Sequence, residues 1–159
     1  MNRESIINLL DFLPDTAIQI DMQSKTKKEV LKELTTLLVD AHGIKGSQNN
    51  ILDALMERED MGSTGIGQGI AIPHGKSESV KEVVAGLGIS KKGIDFDALD
   101  GEPVYLFFIV VAPLNASGVH LKILAKISRL LKDKFFRQAL REAKASEDVR
   151  KVIKQENAY

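Results

Sequence analysis

Three histidines are the residues of this chain best suited to nucleophilic or acid–base chemistry near neutral pH: His42, His74 and His120. An unperturbed imidazole has a pKa of ~6.5, so much of it is neutral at pH 7 and one ring nitrogen can act as a nucleophile. The sequence contains no cysteine, which excludes disulfides, thiolate metal ligands and a cysteine nucleophile. No histidine–carboxylate cluster has the spacing of metal ligands, so a metal-dependent hydrolase is disfavoured and we expect neither a metal nor a cofactor.

A glycine-rich segment precedes His74. Four glycines lie among the eight residues 62–69, together with Ser63 and Thr64. This composition is typical of a loop, because glycine adopts backbone angles that strain other residues. The segment fails both tests for a nucleotide-binding loop: no Lys-Ser/Thr pair follows the last loop glycine, and the glycines precede a predicted strand instead of a helix. Nucleotide binding is therefore disfavoured.

His74 itself lies between Pro73, whose backbone is conformationally fixed, and Gly75, which has no side chain. We predict that it lies where a short strand ends, with its imidazole at a surface and room for another molecule to approach. The same residue types also fit a histidine that closes a turn by hydrogen bonds. The local sequence leaves both interpretations open.

Helices and strands must position these residues. The spacing of apolar residues predicts five helices: 25–42, a second after Ser47, about 118–132, a fourth after Asp133 and a last one that Ser146 can cap. We expect Ser24 to cap the first helix, Gly43 to end it, and the leucine stripe that begins at Leu121 to lie in the core. Strands are predicted at 17–20, 70–72, 83–89 and 104–111, the last of them central because it is apolar throughout.

Helices before and after a cluster of strands predict an α/β fold: a single domain with a central mixed β-sheet flanked by α-helices on both faces. The chain has 159 residues, of which 43% are hydrophobic and 28% are charged. That composition supplies enough apolar material for one core and too little net charge for disorder. We therefore expect residues 1–159 to form one domain.

The charge balance and the termini limit the surroundings of the protein. Lys and Arg total 22 and Asp and Glu total 22, which argues against a nucleic-acid partner and against electrostatic binding to a membrane. Asp11 interrupts the first apolar run and no small-residue cleavage site follows, so no secretory signal is predicted. The longest apolar stretch, 106–114, is far shorter than the ~20 residues that span a bilayer. We expect a cytoplasmic protein that is not inserted in a membrane.

An acidic residue, Glu59, is followed after six residues by Ile66-Gly67 and after two more by the run Ile70 to Gly75, Ile-Ala-Ile-Pro-His-Gly. This pattern resembles the active-site signature of the type-2 enzyme IIA domains of the bacterial sugar phosphotransferase system, which include fructose, mannitol and nitrogen-regulatory domains. Residues 93–101 before the last strand, and His120-Leu121 at a helix start, also look like this family. The resemblance covers roughly residues 5–155.

The resemblance implies a phosphocarrier in which His74 accepts a phosphoryl group from a HPr-like phosphocarrier protein. It also implies that Arg58, sixteen residues before His74, neutralises phosphoryl oxygens and that His120 donates a hydrogen bond to one. Without the resemblance, Arg58 would be interpreted as a charged helix end and His120 as a solvent-facing helix start.

The remaining candidates carry smaller roles. Ser63 and Thr64 could support the phosphoryl group or shape the turn, and we group Gly75 with them as a supporting residue. Glu59 is interpreted as a surface carboxylate and His42 as structural.

Two functions stay open within this resemblance. His74 passes its phosphoryl group to an enzyme IIB in sugar transport, or its phosphorylation switches binding to a regulated kinase or transporter without onward transfer. The run Pro73 to Lys76 looks like the nitrogen-regulatory branch, which we slightly favour, whereas 91–101 and 118–131 look equally like fructose domains. The sequence does not determine the sugar, the regulated partner or the oligomeric state.

Overall fold

Six strands, four of them at predicted positions, form one mixed sheet in the computed structural model of the chain, which describes residues 7–157. They are β1 (Ile18–Gln19), β2 (Gly65–Gly67), β3 (Ile70–Ala71), β4 (His74–Lys76), β5 (Val84–Ile94) and β6 (Val104–Ala112). Within these residues the order across the sheet is β1-β5-β6-β3-β2, and β4 also pairs with β6. The pairs β1–β5, β3–β6 and β4–β6 are parallel, and the pairs β5–β6 and β2–β3 are antiparallel. The predicted α/β fold with a mixed sheet is confirmed.

The described residues contain the five helices that the apolar spacing predicts: α1 (Lys27–His42), α2 (Gln48–Asp60), α3 (Val119–Leu130), α4 (Lys134–Glu142) and α5 (Ser146–Asn157). Gly43 ends α1 in a left-handed conformation, as predicted, and Ser47, after which a helix was predicted, caps α2. The predicted cap of α1 is wrong. Thr26 accepts the hydrogen bond from the Glu29 N–H, whereas the Ser24 hydroxyl donates to the Glu33 carboxylate at 2.5 Å.

Helices pack on both faces of the sheet, so the predicted layering is also confirmed. The α1–α2 face buries Leu34, Leu38, Ile51 and Leu55 with Phe107 and Ile109 of β6. The opposite face buries Ile123, Phe136 and Val149 with Leu106, Phe108 and Val110 of β6. Because successive residues of β6 face opposite layers, this strand has no polar alternation, as its sequence indicates. Within residues 7–157, no helix is both long and apolar enough to cross a bilayer.

The strands β3 and β4 lie one after the other along the same edge of β6. Ile70 pairs with Leu106 and His74 pairs with Val110, so the register is the same before and after Pro73. Proline has no N–H to donate and interrupts the ladder, although its carbonyl still accepts from the Val110 N–H at 3.0 Å. His74 therefore begins a second short strand, where the sequence predicted the end of the first.

The glycine-rich segment also differs from its prediction as a plain loop. Residues 65–67 form β2, which turns back to pair with β3. The turn places Gly67, Gln68 and Gly69 at φ values of 100°, 58° and 79°. This left-handed conformation is the reason the turn requires glycine, and the strand β2 before the turn was hidden by the same composition.

Candidate active site

The edge strand β4 carries the candidate nucleophile into a cavity. His74 and Lys76 are two residues apart in β4, and both line a cavity of about 380 Å³ that lies against Val110 of β6. The end of α2 and the start of α3 supply most of the remaining wall. The structure thus brings four of the predicted site residues together: His74, Arg58, His120 and Gly75.

The imidazole of His74 is held in one tautomer. Its Nδ1 lies 2.8 Å from the carbonyl oxygen of Ile72. A carbonyl oxygen can only accept a hydrogen bond, so Nδ1 carries the proton and Nε2 keeps the lone pair. His74 is half-buried, and the structure combines the two interpretations of the sequence. The ring closes a turn by a hydrogen bond, and that bond leaves the second nitrogen nucleophilic.

Arg58 enters the cavity from the last turn of α2. One of its terminal nitrogens, Nη1, donates to the carbonyl oxygen of Gly62 at 2.8 Å. This bond holds the guanidinium against the turn that follows α2. The rest of the planar fork stays available for an anion, because a guanidinium has five N–H groups.

His120 lies in the first turn of α3, after Gly118, which has a φ of 101°. Its Nδ1 is buried and has no hydrogen-bond partner among residues 7–157. Burial, followed by the charges of Lys76 and His74, lowers the pKa of His120 below its ordinary value of 6.5. The ring is therefore neutral at pH 7, and it presents an N–H donor instead of a full positive charge.

Glu59 is buried, and the prediction that it is a surface carboxylate is wrong. Its side chain is 3% exposed and pairs with Lys27 Nζ at 2.7 Å. The Thr64 N–H donates to both carboxylate oxygens, at 3.0 and 3.1 Å, and the Thr64 hydroxyl donates to Oε1. Burial raises the pKa of Glu59, but the hydrogen bonds from Lys27 and Thr64 outweigh it and the net pKa is lowered.

A chain of hydrogen bonds connects Glu59 with His74. Glu59 holds Thr64, the Thr64 carbonyl accepts from the Ile72 N–H at 3.0 Å, and the Ile72 carbonyl binds the His74 ring. Each bond fixes the group that makes the next one. The acidic position of the signature therefore supports the active site from inside the protein.

The other predicted supporting residues have partners of their own. The Ser63 hydroxyl donates to the Phe96 carbonyl at 3.3 Å, and the Thr64 hydroxyl is bound to Glu59, so neither lines the cavity. Gly75 does line it, but an added methyl group there would point at Ala54, about 3.4 Å from its backbone. A role of these three residues in binding the phosphoryl group stays a prediction.

His42 bonds elsewhere. Its Nε2 lies 2.9 Å from the Ala85 carbonyl oxygen, outside the cavity, which agrees with the structural role that we predicted for it.

Sequence reasoning missed Lys76 and the apolar rim. Lys76 shares a side of β4 with His74, a relationship that two-residue spacing on a strand would have indicated. Met61 and Leu121 line the cavity and are 80% and 61% exposed. Leu121 was expected in the core because it belongs to the stripe of α3, but that stripe starts beyond the edge of the sheet. A nucleophilic nitrogen, two cations, the carboxylate of Glu57 and an apolar rim line this open cavity. Because the cations outnumber the carboxylate, the cavity is suited to receiving an anionic group from another protein.

Comparison with known proteins identifies relatives along almost the whole chain. Residues 11–156 match the family described as phosphoenolpyruvate-dependent sugar phosphotransferase system, EIIA 2. The fructose-specific EIIABC component of Bacillus subtilis is 36% identical over 149 residues, which are 94% of this chain and 23% of that protein. The chain thus spans about a quarter of the length of this relative.

Solved structures agree in fold. The nitrogen regulatory protein IIA-Ntr from Neisseria meningitidis is 36% identical, with a TM-score of 0.83 over 90% of this chain and 97% of that one. An Escherichia coli mannitol enzyme IIA, solved in complex with its phosphorylated enzyme IIB, has a TM-score of 0.76 over 89% of this chain and 96% of that one. At 18% identity, the second comparison shows the fold alone.

Proposed function

Because the chain belongs to the EIIA 2 family of the phosphoenolpyruvate-dependent sugar phosphotransferase system, we propose that Nε2 of His74 is the atom that accepts its phosphoryl group. Members of this family are components of a phosphotransferase system, and membership gives the chain the role of a phosphocarrier. The observation that carries the proposal is the hydrogen bond from His74 Nδ1 to the Ile72 carbonyl. It leaves one nucleophilic nitrogen on a residue that lines an open cavity.

The proposed step is a displacement at phosphorus. The lone pair of His74 Nε2 forms a bond to the phosphorus atom while the bond between phosphorus and the donor's imidazole nitrogen breaks. The electron pair of that bond leaves with the donor ring. The acceptor ring gains positive charge, which the Ile72 carbonyl stabilises through the Nδ1 proton. Such a transfer depends on position and charge more than on a separate acid and base.

The cations of the cavity complete this account. Arg58 and Lys76 offset the negative charge of the three phosphoryl oxygens, and the neutral His120 donates a hydrogen bond to one of them. Partial burial and the nearby Lys76 make a full charge on the His120 ring unfavourable, and Lys76 supplies positive charge to the cavity instead.

The partners follow from this chemistry. We propose a HPr-like phosphocarrier protein as the donor and an enzyme IIB as the acceptor, the kind of partner that the mannitol relative has in its solved complex. The exposed rim formed by Met61 and Leu121 gives both proteins an apolar surface around the histidine. A cytoplasmic location stays a prediction.

A regulatory role is the second candidate. The similarity to the nitrogen regulatory protein of Neisseria meningitidis supports a regulatory role. The fructose-specific relative has the same sequence identity, 36%, so sequence identity does not separate the two functions. In this function the phosphoryl group on His74 alters binding to a kinase or transporter, because it adds negative charge to an apolar surface. Affinity capture with His74→Asp and His74→Ala discriminates: recovery of an enzyme IIB supports transport, and recovery of a kinase or transporter supports regulation.

The test of the acceptor uses labelled phosphoenolpyruvate, enzyme I and a HPr-like carrier. Wild-type protein and the matched variant His42→Gln are expected to become labelled, because His42 lies outside the cavity. His74→Ala is expected to remain unlabelled. Equal labelling of His74→Ala would refute His74 as the acceptor.

A further inference from the structure

A second cavity, of about 680 Å³, lies at the other end of β6 from His74. We propose that it binds a phosphorylated small molecule that carries at least two negative charges. Leu106 lines this cavity and Val110 lines the first one. Leu106 and Val110 are four positions apart on β6, which is about 13 Å at ~3.3 Å per residue. No residue lines both cavities, so the proposed site lies outside the phosphoryl-transfer site and goes beyond the proposed function.

Positive charge is concentrated around this cavity, although the chain as a whole is neutral. Its walls contain four cations and one carboxylate: Lys91, Lys134, Arg137, Arg141 and Glu142. None of these cations forms an ion pair within residues 7–157. The carboxylate of Glu142 already accepts a hydrogen bond from Gln138 at 3.0 Å. Like charges held in one concavity repel each other, and an anion placed among them removes that repulsion.

The charged residues that α4 contributes to the cavity lie on a face of the helix that is separate from its core face. The residues that α4 contributes are spaced by three and four positions, so they form one face of the helix. The core needs a different face, on which Phe136 and Leu140 are buried. The strand β5 contributes Ser90 and Lys91. Cations of two different elements, α4 and β5, therefore line the cavity, which suits a ligand with more than one negative charge.

Two guanidinium groups are held in place before any ligand binds. The Cζ atom of Arg141 lies 3.6 Å from the ring centroid of Tyr105, so the two groups are stacked. Arg137 Nη1 donates to the carbonyls of Leu131 and Lys132, at 2.7 and 3.0 Å, at the end of α3. A planar guanidinium that is already ordered loses little entropy when its other N–H groups bind phosphate oxygens.

The shape of the cavity favours a small molecule over an acidic peptide. Its volume is within the range of ~300–1,000 Å³ that is usual for small-ligand sites. The turn between β2 and β3 contributes Gln68 and Gly69 to its lining. The Gln68 N–H donates to Asp100 Oδ2 at 3.0 Å, which orders the turn before a ligand binds. An ordered wall favours a compact ligand, because little entropy is lost on binding.

Inorganic pyrophosphate is a suitable probe because it has two linked anionic groups. We expect saturable binding in calorimetry, together with shifts of the Gly69 and Arg141 amide signals in ¹⁵N-labelled protein. Lys91→Ala and Arg141→Ala should each weaken binding by about tenfold, because each removes a charged hydrogen-bond donor. Arg141→Lys should also weaken it, since lysine lacks the planar fork. Lys151 is an exposed cation of α5 outside the cavity. The Lys151→Ala variant should therefore bind pyrophosphate as the wild type does.

Other outcomes would overturn the proposal. Titration without saturation, or equal weakening by Lys151→Ala, would show only general attraction of an anion to the surface. Shifts centred on Gly75 would assign the anion to the cavity of His74. Binding of hexaglutamate in place of pyrophosphate would show a surface for acidic protein segments. Lys91→Ala combined with Arg141→Ala should still be phosphorylated on His74, so failure of this proposal is distinguishable from failure of the proposed function.

Discussion

Nδ1 of His74 lies 2.8 Å from the carbonyl oxygen of Ile72, only two residues earlier in the chain. The Ile72 carbonyl oxygen, which selects the tautomer, and the His74 ring are joined through Pro73. The fixed φ of Pro73 restricts the backbone between them. The acceptor nitrogen is therefore prepared before a partner docks. Preorganisation of this kind is effective in phosphoryl transfer, because position contributes much of the rate.

Arg58 is expected to stabilise the phosphoryl group during transfer. Arg58→Lys keeps the positive charge but loses the planar fork, and we expect the rate of phosphorylation to fall about tenfold. Arg58→Ala loses both the charge and the planar fork, and its rate of phosphorylation is expected to fall about a hundredfold. Rapid-quench labelling measures these rates. Arg129→Lys, an exposed arginine of α3 that does not line the cavity, is the matched control. Wild-type rates in both Arg58 variants would exclude this role.

Glu59→Gln should weaken the site from inside. The amide keeps the size of the side chain but removes the ion pair with Lys27, and we expect the free energy of unfolding to fall by about 1–3 kcal/mol. Because Thr64 and Ile72 connect this residue to His74, ¹⁵N signals of the His74 ring should show a mixture of tautomers. Urea denaturation and histidine NMR provide the two measurements.

The control for this prediction is Asp60→Asn, which alters the next and exposed carboxylate of α2. It should leave both the stability and the His74 tautomer unchanged. A destabilised Glu59→Gln that still shows a single Nδ1–H tautomer would restrict Glu59 to a role in stability.

The stability of the protein should depend on His120 at mildly acidic pH. Burial, then Lys76 and His74, lowers the pKa of His120 below 6.5 in the folded protein. Below about pH 6.5 the unfolded chain therefore binds more protons at this residue than the folded protein does. The free energy of unfolding should decline between about pH 7.5 and pH 5.5, and less steeply in His120→Gln. Urea denaturation at several pH values measures both slopes, and equal slopes would contradict the prediction.

The apolar rim should serve docking and not folding. Met61 and Leu121 are exposed at the cavity, so Met61→Glu and Leu121→Glu are expected to fold normally. Each should raise the KM for the phosphorylated carrier by about tenfold with little effect on kcat. Leu99→Glu is the control, because Leu99 is 74% exposed but lies outside this cavity. An unchanged KM in both rim variants would place docking elsewhere.

The layers of the fold could be predicted because their signals are local. Apolar residues at helical spacing located all five helices, and the unbroken apolar run of β6 identified the central strand. The short strand β2 could not be found, because four glycines that suit a turn also hide the residues that pair beside it. The extension of β5 to Ile94 was missed because the exposed pair Lys91 and Lys92 and the following Gly93 interrupt its apolar pattern.

The sequence indicated which residue types form the candidate site. It did not indicate the hydrogen bonds and ion pairs that hold them in place. Proline and glycine on either side singled out His74, but only the folded chain shows that Ile72 fixes its ring. Glu59 was interpreted as a surface carboxylate because it belongs to a mixed-charge run, and its burial depends on Lys27, which is 32 residues away in the sequence. Ion pairs between distant residues have no local signal.

The most direct test of Nε2 of His74 as the acceptor atom is NMR of the phosphorylated protein labelled with ¹⁵N in histidine. We expect a coupling between ³¹P and Nε2 of His74, with Nδ1 of the same ring still carrying its proton. A coupling to Nδ1 of His74, or to either nitrogen of His120, would contradict it.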